Sequence, residues 1–212
     1  ALREIAEMPA AGHTAVYVEY HGDSEDVVED AVMRMSEAMT DSGGDADATW
    51  ILTGERELER LKTFRHAVPE AVNLLIDEKR KKDPGVTKLG TDLAVPDEAL
   101  MDVLALYHDG LAREKLEYVM FGHIGSNHLH VNIIPNTMDE YERGKSLYLQ
   151  WAHEVVVMGG TVSAEHGIGK LKTALLQEMY GDQGIRQMRE LKRCFDPDGR
   201  LNPGNLFKQE EP

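Results

Sequence analysis

Residues 116–135 read LEYVMFGHIGSNHLHVNIIP, which is two strand-like halves separated by the turn residues GSN. Side chains of a β-strand point alternately to its two faces. In the second half this alternation places His128, His130 and Asn132 on one face, and the residues between them form an apolar face. Because the chain can fold back at the turn, His123 can reach the same face. The stretch therefore predicts two strands with one packing face and one face that carries imidazoles.

Helix-like and strand-like patterns alternate along the rest of the chain, with several short connections. The alternation of apolar and polar side chains predicts strands at residues 14–22 and 48–54. Helices are predicted over residues 24–44, 55–82, 96–114, 138–160 and 173–195. This order favours an α+β domain, an antiparallel sheet with helices packed on it, over a doubly wound parallel sheet. No GxGxxG or GxxxxGK[ST] motif provides the usual phosphate cradle of a nucleotide cofactor.

The composition is typical of a soluble globular protein, with 42% hydrophobic and 29% charged residues. Its 38 acidic and 23 basic residues give a formal net charge of −15, which argues against a nucleic-acid-binding surface. The only cysteine, Cys194, cannot form an internal disulfide, and its helical phase with Leu191 predicts a buried apolar role. No apolar run approaches the ~18 residues of a membrane span. We therefore expect a cytoplasmic protein.

The histidine face raises the question of a metal ion. Neutral imidazoles together with a carboxylate are the ligands that zinc, iron and manganese take in proteins. Glu165, in the glycine-rich loop SAEHGIGK, is the candidate carboxylate. The alternative is that His123, His128 and His130 are ordinary histidines whose hydrogen bonds are satisfied in a polar pocket. The spacing alone leaves both interpretations open.

Three stretches, GHIGSNHLH, GGTVSAEHGIGKLK and DPDGRLNPGNLF, resemble the C-terminal domain of the FAD-linked oxidase family, the vanillyl-alcohol-oxidase-like flavoproteins. The most similar branch contains the D-lactate, glycolate and D-2-hydroxyglutarate dehydrogenases. The resemblance extends to VEYHG and TDLAVP, so it covers nearly the whole chain. It implies that residues 1–212 form a ferredoxin-like cap domain on the substrate side of a flavin site. Residues 196–212 would then reach the flavin, and the N-terminal FAD-binding domain would lie outside this chain.

The resemblance also implies roles for individual residues. In the branch that uses a metal, the residues that bind it match His123, His130 and Glu165. His128, which the family pattern does not include, is a candidate fourth ligand or supporting hydrogen-bond partner. His166 matches the residue that serves as the acid/base in the family. By the same resemblance, Arg65, Lys88 and Asn132 would bind the substrate, and Asn202 would lie near the flavin ring. For Arg65 the alternative is a surface salt bridge with Glu57, Glu59 or Glu70.

The sequence departs from the family pattern at several positions. Ser126, Asn127 and His128 stand where Asp, Gly and Asn are usual. Ala164 replaces a glycine, and Asn205 replaces a lysine. The lost aspartate could have oriented a ligand, and the gained imidazole could supply one. These changes affect the expected metal and substrate more than the expected fold.

The resemblance implies oxidation of a small D-2-hydroxy acid, of the D-lactate or glycolate type, to the 2-oxo acid by hydride transfer to FAD. A divalent zinc, manganese or iron ion is an expected second cofactor, and this chain by itself is expected to be inactive. Its expected partners are the FAD domain, an unidentified electron acceptor that could hold it at a membrane surface, and a second copy in a homodimer. The alternatives are a metal-dependent hydrolase that uses the same histidines and glutamate, and a non-catalytic module that retains the cap fold.

Overall fold

The computed structural model describes residues 14–44, 49 and 51–208. The chain divides into two compact units, Ala1–Glu70 and Ala71–Pro212. Two α-helices occur in the described part of the first unit: α1 (Glu25–Asp41) and the start of α2 (Glu55–Arg80). Residues 71–80 of α2 belong to the second unit. Helix α1 ends before Gly43, whose φ of +80° favours glycine, and both helices lie where the sequence predicts them.

The two predicted N-terminal strands are wrong for the residues that the structure describes. Residues 14–22 have no strand assignment, and Val16 and Val18 remain exposed. Of residues 48–54, positions 48 and 50 lie outside the described residues, and positions 51–53 form no strand. A strand is stabilised by a neighbouring strand that accepts and donates its backbone hydrogen bonds. The three-stranded sheet of the described residues does not include either segment.

The sheet of the second unit contains β1 (Leu89–Gly90), β2 (Tyr118–His123) and β3 (His128–Ile133). Its order is β1-β3-β2, and both pairings are antiparallel. Strands β2 and β3 are joined by a short 3₁₀ turn, after which Asn127 adopts a left-handed conformation with φ of +50°. At Gly122 a Cβ atom would lie 2.2 Å from the carbonyl oxygen of His128, so this closely paired position requires glycine. The hairpin predicted from residues 116–135 is therefore present.

One face of the sheet packs on three helices. These are α3 (Leu100–Glu114), α4 (Met138–Val157) and α5 (Thr173–Phe195). Val131 and Ile133 of β3 are fully buried in this core, as the period of two predicts. Tyr107 and Trp151 contact each other edge to face, with ring centroids 4.8 Å apart. The α+β prediction, helices on an antiparallel sheet, is confirmed.

The opposite face is apolar at one end and polar at the other. Val72 and Ile76 of α2 are buried there beside Ile134, and Val119 and Phe121 pack against them. The remaining part of this face carries the histidines. The last turns of α2 therefore cover the apolar end of this face and leave the end that carries the histidines.

The C-terminal helix differs from the prediction in two details. Helix α5 covers residues 173–195 as predicted, but Gly181 interrupts it with φ of +62° and ψ of 179°. Cys194 is exposed, which contradicts its predicted burial. Leu191 shares the helical phase of Cys194 and is also exposed, so this stripe of α5 faces outward. Among the helices that the structure describes, none is long and apolar enough to cross a membrane.

Candidate metal and substrate site

The three histidines of the hairpin lie on one face because of the strand register. His123 of β2 is directly opposite His128 of β3, and Phe121 is opposite His130. Residues that oppose each other across an antiparallel pair project to the same side. The ring centroids of His128 and His130 are 4.2 Å apart, and those of His123 and His128 are 6.1 Å apart. His128 and His130 are buried, whereas His123 is exposed.

The loop between α4 and α5 places a carboxylate opposite these rings. Thr161 pairs with Ala94 through two backbone hydrogen bonds, of 3.2 and 2.9 Å. The Ala164 amide donates to the Asp92 carbonyl at 3.0 Å. These bonds fix the loop along the segment that follows β1, and Glu165 then faces the hairpin.

Glu165 lies at the centre of the cluster. Its Oε1 is 3.0 Å from Nε2 of His130 and 3.1 Å from Nε2 of His166. Its Oε2 is 3.6 Å from Nε2 of His123 and 4.0 Å from Nδ1 of His128. Burial alone would raise the pKa of Glu165, but the hydrogen bond with His130 and the neighbouring imidazoles lower it below its usual value. The carboxylate is therefore ionised at neutral pH, with four imidazoles around it.

The tautomer of His130 follows from its hydrogen bonds. Its Nδ1 lies 2.8 Å from the carbonyl oxygen of Thr91, and a carbonyl can only accept, so Nδ1 carries the hydrogen. Nε2 then either donates a second hydrogen to the carboxylate of Glu165, 3.0 Å away, or, when the ring is neutral, faces that carboxylate with a lone pair. Two acceptors in contact require a proton or a cation between them. This donor set therefore fits a divalent ion of the zinc, iron or manganese type.

Close spacing of donor atoms supports this fit. Ligand atoms of His130, Glu165 and His166 lie within 4.8 Å of one another. The same holds for ligand atoms of Asp92, His128 and His130, all of which are buried. The structure thus brings the sequence-predicted residues His123, His128, His130, Glu165 and His166 together around one carboxylate. Their roles as ligands or as acid/base remain predictions.

His128 is the most enclosed imidazole of the cluster. It is 3% exposed, and among the described residues its Nε2 has no hydrogen-bond partner. Oδ1 of Asp92 is 3.2 Å from this nitrogen, but the ring N–H is not aligned on that oxygen. Burial lowers the pKa of His128 and the neighbouring His130 lowers it further, while Glu165 and Asp92 act in the opposite direction. His128 is therefore neutral at neutral pH.

Asp92 holds the loop segment that carries Glu165 and His166. The sequence pattern did not single it out as a site residue. Its side chain accepts hydrogen bonds from Lys172 Nζ and Ser163 Oγ, both at 2.8 Å. It also accepts from the backbone amides of Glu165 at 3.2 Å and His166 at 3.1 Å. Burial would raise the pKa of Asp92, but Lys172 and the other donors lower it to about 2. An aspartate within the apolar extended stretch LGTDLAVP was the available sequence signal, because a buried carboxylate needs partners.

A cleft of about 430 Å³ opens beside the histidine cluster. It is lined by Ala94, His123, Ser126, His128, Thr161, Ala164 and Glu165. A water molecule occupies about 30 Å³ of liquid, so the cleft has room for a small organic acid. The cluster is therefore reachable from solvent through the side that holds His123 and Glu165.

The contacts around Glu165 do not include the other four predicted site residues. Arg65 is an exposed residue of α2 in the first unit, where Glu57 pairs with Arg60 at 2.7 Å. Lys88 immediately precedes β1, and Asn132 is buried on β3, with its side-chain amide 3.5 Å from the carbonyl of His130. Asn202 is exposed in the C-terminal tail. The binding roles of these residues remain predictions.

Comparison with known proteins gives matches over nearly the full length of the chain. The family described as "FAD linked oxidases, C-terminal domain" matches residues 2–206. The chain is 31% identical over 195 residues to "Probable D-lactate dehydrogenase, mitochondrial" of Danio rerio, which covers 91% of this chain and 37% of that protein. It is 28% identical over 205 residues to "Glycolate oxidase subunit GlcD" of Bacillus subtilis (strain 168), covering 96% and 41%.

A third relative carries another substrate in its name. The chain is 32% identical over 167 residues to "D-2-hydroxyglutarate dehydrogenase" of Stutzerimonas stutzeri (strain A1501), which covers 74% of this chain and 34% of that protein. The chain therefore spans about two fifths or less of the length of these three relatives.

Proposed function

Because the chain belongs to the FAD-linked oxidase C-terminal domain family, we propose that it forms the substrate side of an FAD-dependent oxidoreductase. The proposed reaction converts a small D-2-hydroxy acid, of the D-lactate or glycolate type, to the 2-oxo acid. The observation that carries this proposal is the convergence of four imidazoles on the carboxylate of Glu165 at the edge of an open cleft. The names of the matched relatives support the substrate class.

In the proposed enzyme, FAD is bound mainly by a domain that lies outside residues 1–212. The relatives are more than twice as long as the segment that this chain matches. The sequence lacks a glycine-rich phosphate-binding loop, and the C-terminal tail with Asn202 is the part proposed to approach the flavin. FAD supplies the acceptor for a hydride, which no amino-acid side chain can provide.

The proposed chemistry separates a hydride from a proton. Oxidation of the hydroxy acid removes the α-hydrogen with its electron pair, and the hydroxyl group loses its proton as the carbonyl forms. His166 is the proposed proton acceptor, through Nδ1, because an imidazole can both take and release a proton near neutral pH. Its side chain is 61% exposed, and Glu165 contacts the ring at 3.1 Å. With Nε2–H donated to Glu165, that contact would hold the imidazole in place and leave the lone pair of Nδ1 to take the proton. Exposure of the ring would let the proton reach water.

His123, His130 and Glu165 are the residues proposed to hold a divalent zinc, manganese or iron ion. The lone pair of His130 directed at Glu165 supports this assignment, because the bond from Nδ1 to Thr91 fixes the ring. A bound ion would supply Lewis acidity, which favours loss of a proton from a coordinated hydroxyl. Arg65 is proposed to bind the substrate carboxylate, since a guanidinium group matches a carboxylate with two parallel hydrogen bonds.

The test is anaerobic titration of the FAD-loaded full-length protein with D-lactate, glycolate and D-2-hydroxyglutarate. We expect one of them to bleach the oxidised-flavin absorbance and to yield one 2-oxo acid for each flavin reduced. The L enantiomers of lactate and 2-hydroxyglutarate serve as matched controls and should react much more slowly. A flavin that no 2-hydroxy acid reduces, or a protein that hydrolyses an ester or amide without flavin, would overturn the proposal.

A further inference from the structure

His128 is the residue of the cluster for which the family pattern gives no role. The matching position usually holds an asparagine, and this chain has an imidazole that is 3% exposed. Its Nε2 is a buried polar atom without a hydrogen-bond partner among the residues described. Leaving a buried polar group without a partner destabilises the fold, so the arrangement needs a physical reason.

The ring lies between two carboxylates that differ in their surroundings. Nε2 is 3.2 Å from Oδ1 of Asp92, and Nδ1 is 4.0 Å from Oε2 of Glu165. Asp92 is 1% exposed and is neutralised by the Lys172 ammonium, whereas Glu165 lines the cleft. One edge of the imidazole therefore faces a buried, already compensated anion, and the other edge faces the open site.

The hydrogen-bond capacity of Asp92 determines which nitrogen carries the hydrogen. Oδ2 accepts from Lys172, Ser163 and the His166 amide. Oδ1 accepts from the Glu165 amide, which leaves it one further lone pair. A small rotation of the His128 ring would align Nε2–H on that lone pair. The neutral ring would then direct the lone pair of Nδ1 toward Glu165.

His128 thereby has the same arrangement as His130. In His130, the Thr91 carbonyl holds Nδ1–H, and the lone pair of Nε2 faces Glu165. Histidines that bind metals almost always donate their other ring N–H to a carboxylate or a backbone carbonyl. Both partner types occur here, with Asp92 for His128 and the Thr91 carbonyl for His130.

We propose that His128 is an additional metal ligand through Nδ1, and that Asp92 is the residue that positions it. The ligand set is then His123, His128, His130 and Glu165, three nitrogens and one carboxylate. This inference rests on the metal site of the proposed function. A set rich in imidazole selects zinc, iron or other transition metals over magnesium and calcium, which prefer all-oxygen ligands.

The first test measures metal binding to the purified protein, independently of turnover. Zinc affinity is determined by competition with a chelator, and the visible absorption of the cobalt-loaded protein reports its coordination. We expect His128→Asn, which restores the residue usual in the family, to weaken zinc binding at least 10-fold and to change the cobalt spectrum. We expect Asp92→Asn to weaken binding about 10–100-fold, the usual cost of losing the partner of a ligand.

A matched control uses a histidine outside the cluster. His153 of α4 contacts Glu178 of α5, and His153→Ala should leave zinc affinity and the cobalt spectrum unchanged. Unchanged affinity and spectrum in His128→Asn would overturn the inference. So would a wild-type protein that binds neither zinc nor cobalt.

X-ray absorption spectroscopy of the zinc-loaded wild-type protein provides a test that does not depend on any variant folding. Scattering from three imidazoles is the expected result, and scattering from two or fewer would contradict the assignment. These outcomes are distinct from failure of the proposed function. A protein with three imidazoles on zinc whose flavin is not reduced by any 2-hydroxy acid would retain this ligand set and lose the proposed reaction.

Discussion

Glu165 is the residue around which the histidines of the cluster are arranged. Four imidazole nitrogens lie between 3.0 and 4.0 Å from its two oxygens. None of these contacts of Glu165 is with a lysine or an arginine. The charge of the nearby Asp92, by contrast, is compensated by Lys172. The cluster therefore combines one carboxylate that has no lysine or arginine partner in these contacts with several imidazole nitrogens, a donor set that fits a divalent cation.

His130→Ala and His166→Ala should separate metal binding from proton transfer. His130→Ala removes a lone pair that faces Glu165 and should strip the protein of its metal. His166→Ala should retain the metal, because His123, His128, His130 and Glu165 remain. The measurement is elemental analysis of each purified variant beside the wild type. Full metal content in His130→Ala would refute its role as a ligand.

Arg65 tests the proposed recognition of the substrate carboxylate. Arg65→Ala in the full-length protein should cost about 2–4 kcal/mol in kcat/KM, the loss of a charge-assisted pair with the substrate carboxylate. Arg65→Lys should recover little, since an ammonium cannot form two parallel bonds to a carboxylate. Arg60, which pairs with Glu57 on the same helix, provides the control, and Arg60→Ala should leave kcat/KM unchanged. Wild-type kinetics in both Arg65 variants would assign it to the protein surface.

The loop between α4 and α5 is the element that assembles the site. Lys172 at its end bonds Asp92, and Asp92 in turn bonds the backbone of Glu165 and His166. The ammonium therefore helps to hold two residues of the cluster, Glu165 and His166, through a buried carboxylate. Losing it would affect both the stability of the loop and its geometry.

Lys172→Met should reduce the free energy of unfolding by about 3–5 kcal/mol, because it removes the positive charge that compensates a buried carboxylate. Lys170→Met is the matched control two positions away. Lys170 is exposed, and surface changes are usually worth within about 0.5 kcal/mol. Urea denaturation at neutral pH measures both variants. A Lys172 variant as stable as the control would show that the ion pair does not support the fold.

Asp92 should also make stability depend on pH. Its pKa in the folded protein is about 2, below the value of 3.8 expected without these contacts, so its ionised form stabilises the fold above about pH 4. That contribution, about 2 kcal/mol, is lost as the pH falls from about 4 toward 2. Urea denaturation over this pH range in wild type and Asp92→Asn tests it with metal removed. Identical acid dependence in the two proteins would contradict the assigned pKa.

At the scale of elements, the hairpin could be predicted because its pattern is local. The period of two in HLHVNII gives the faces, and GSN gives the turn. The bond between Asp92 and Lys172 joins residues 80 positions apart, and periodicity contains no information about such pairs. The wrong strand at residues 14–22 has a related cause, since alternation shows that a segment suits a strand and does not supply its partner.

At the scale of the whole molecule, the order and spacing of three motifs predicted the family, and the match over residues 2–206 confirms it. The α+β class was predictable because helical and strand-like periods alternate along the chain. The particular hydroxy acid is not predictable from this chain. Relatives named for lactate, glycolate and hydroxyglutarate match it at 28–32% identity, and the chain covers less than half of each.

In the proposed reaction, this cluster removes the hydroxyl proton of a 2-hydroxy acid while the hydride of the substrate passes to FAD. Rapid mixing of the FAD-loaded full-length protein with its best substrate, without oxygen, tests it most directly, in wild type and in His166→Ala. We expect rapid bleaching of the wild-type flavin and a rate about 10²–10⁴-fold slower in the variant, the usual contribution of a general base. The metal content of the variant should be unchanged. Flavin reduction at the wild-type rate in His166→Ala would contradict the proposed role of His166 as the proton acceptor.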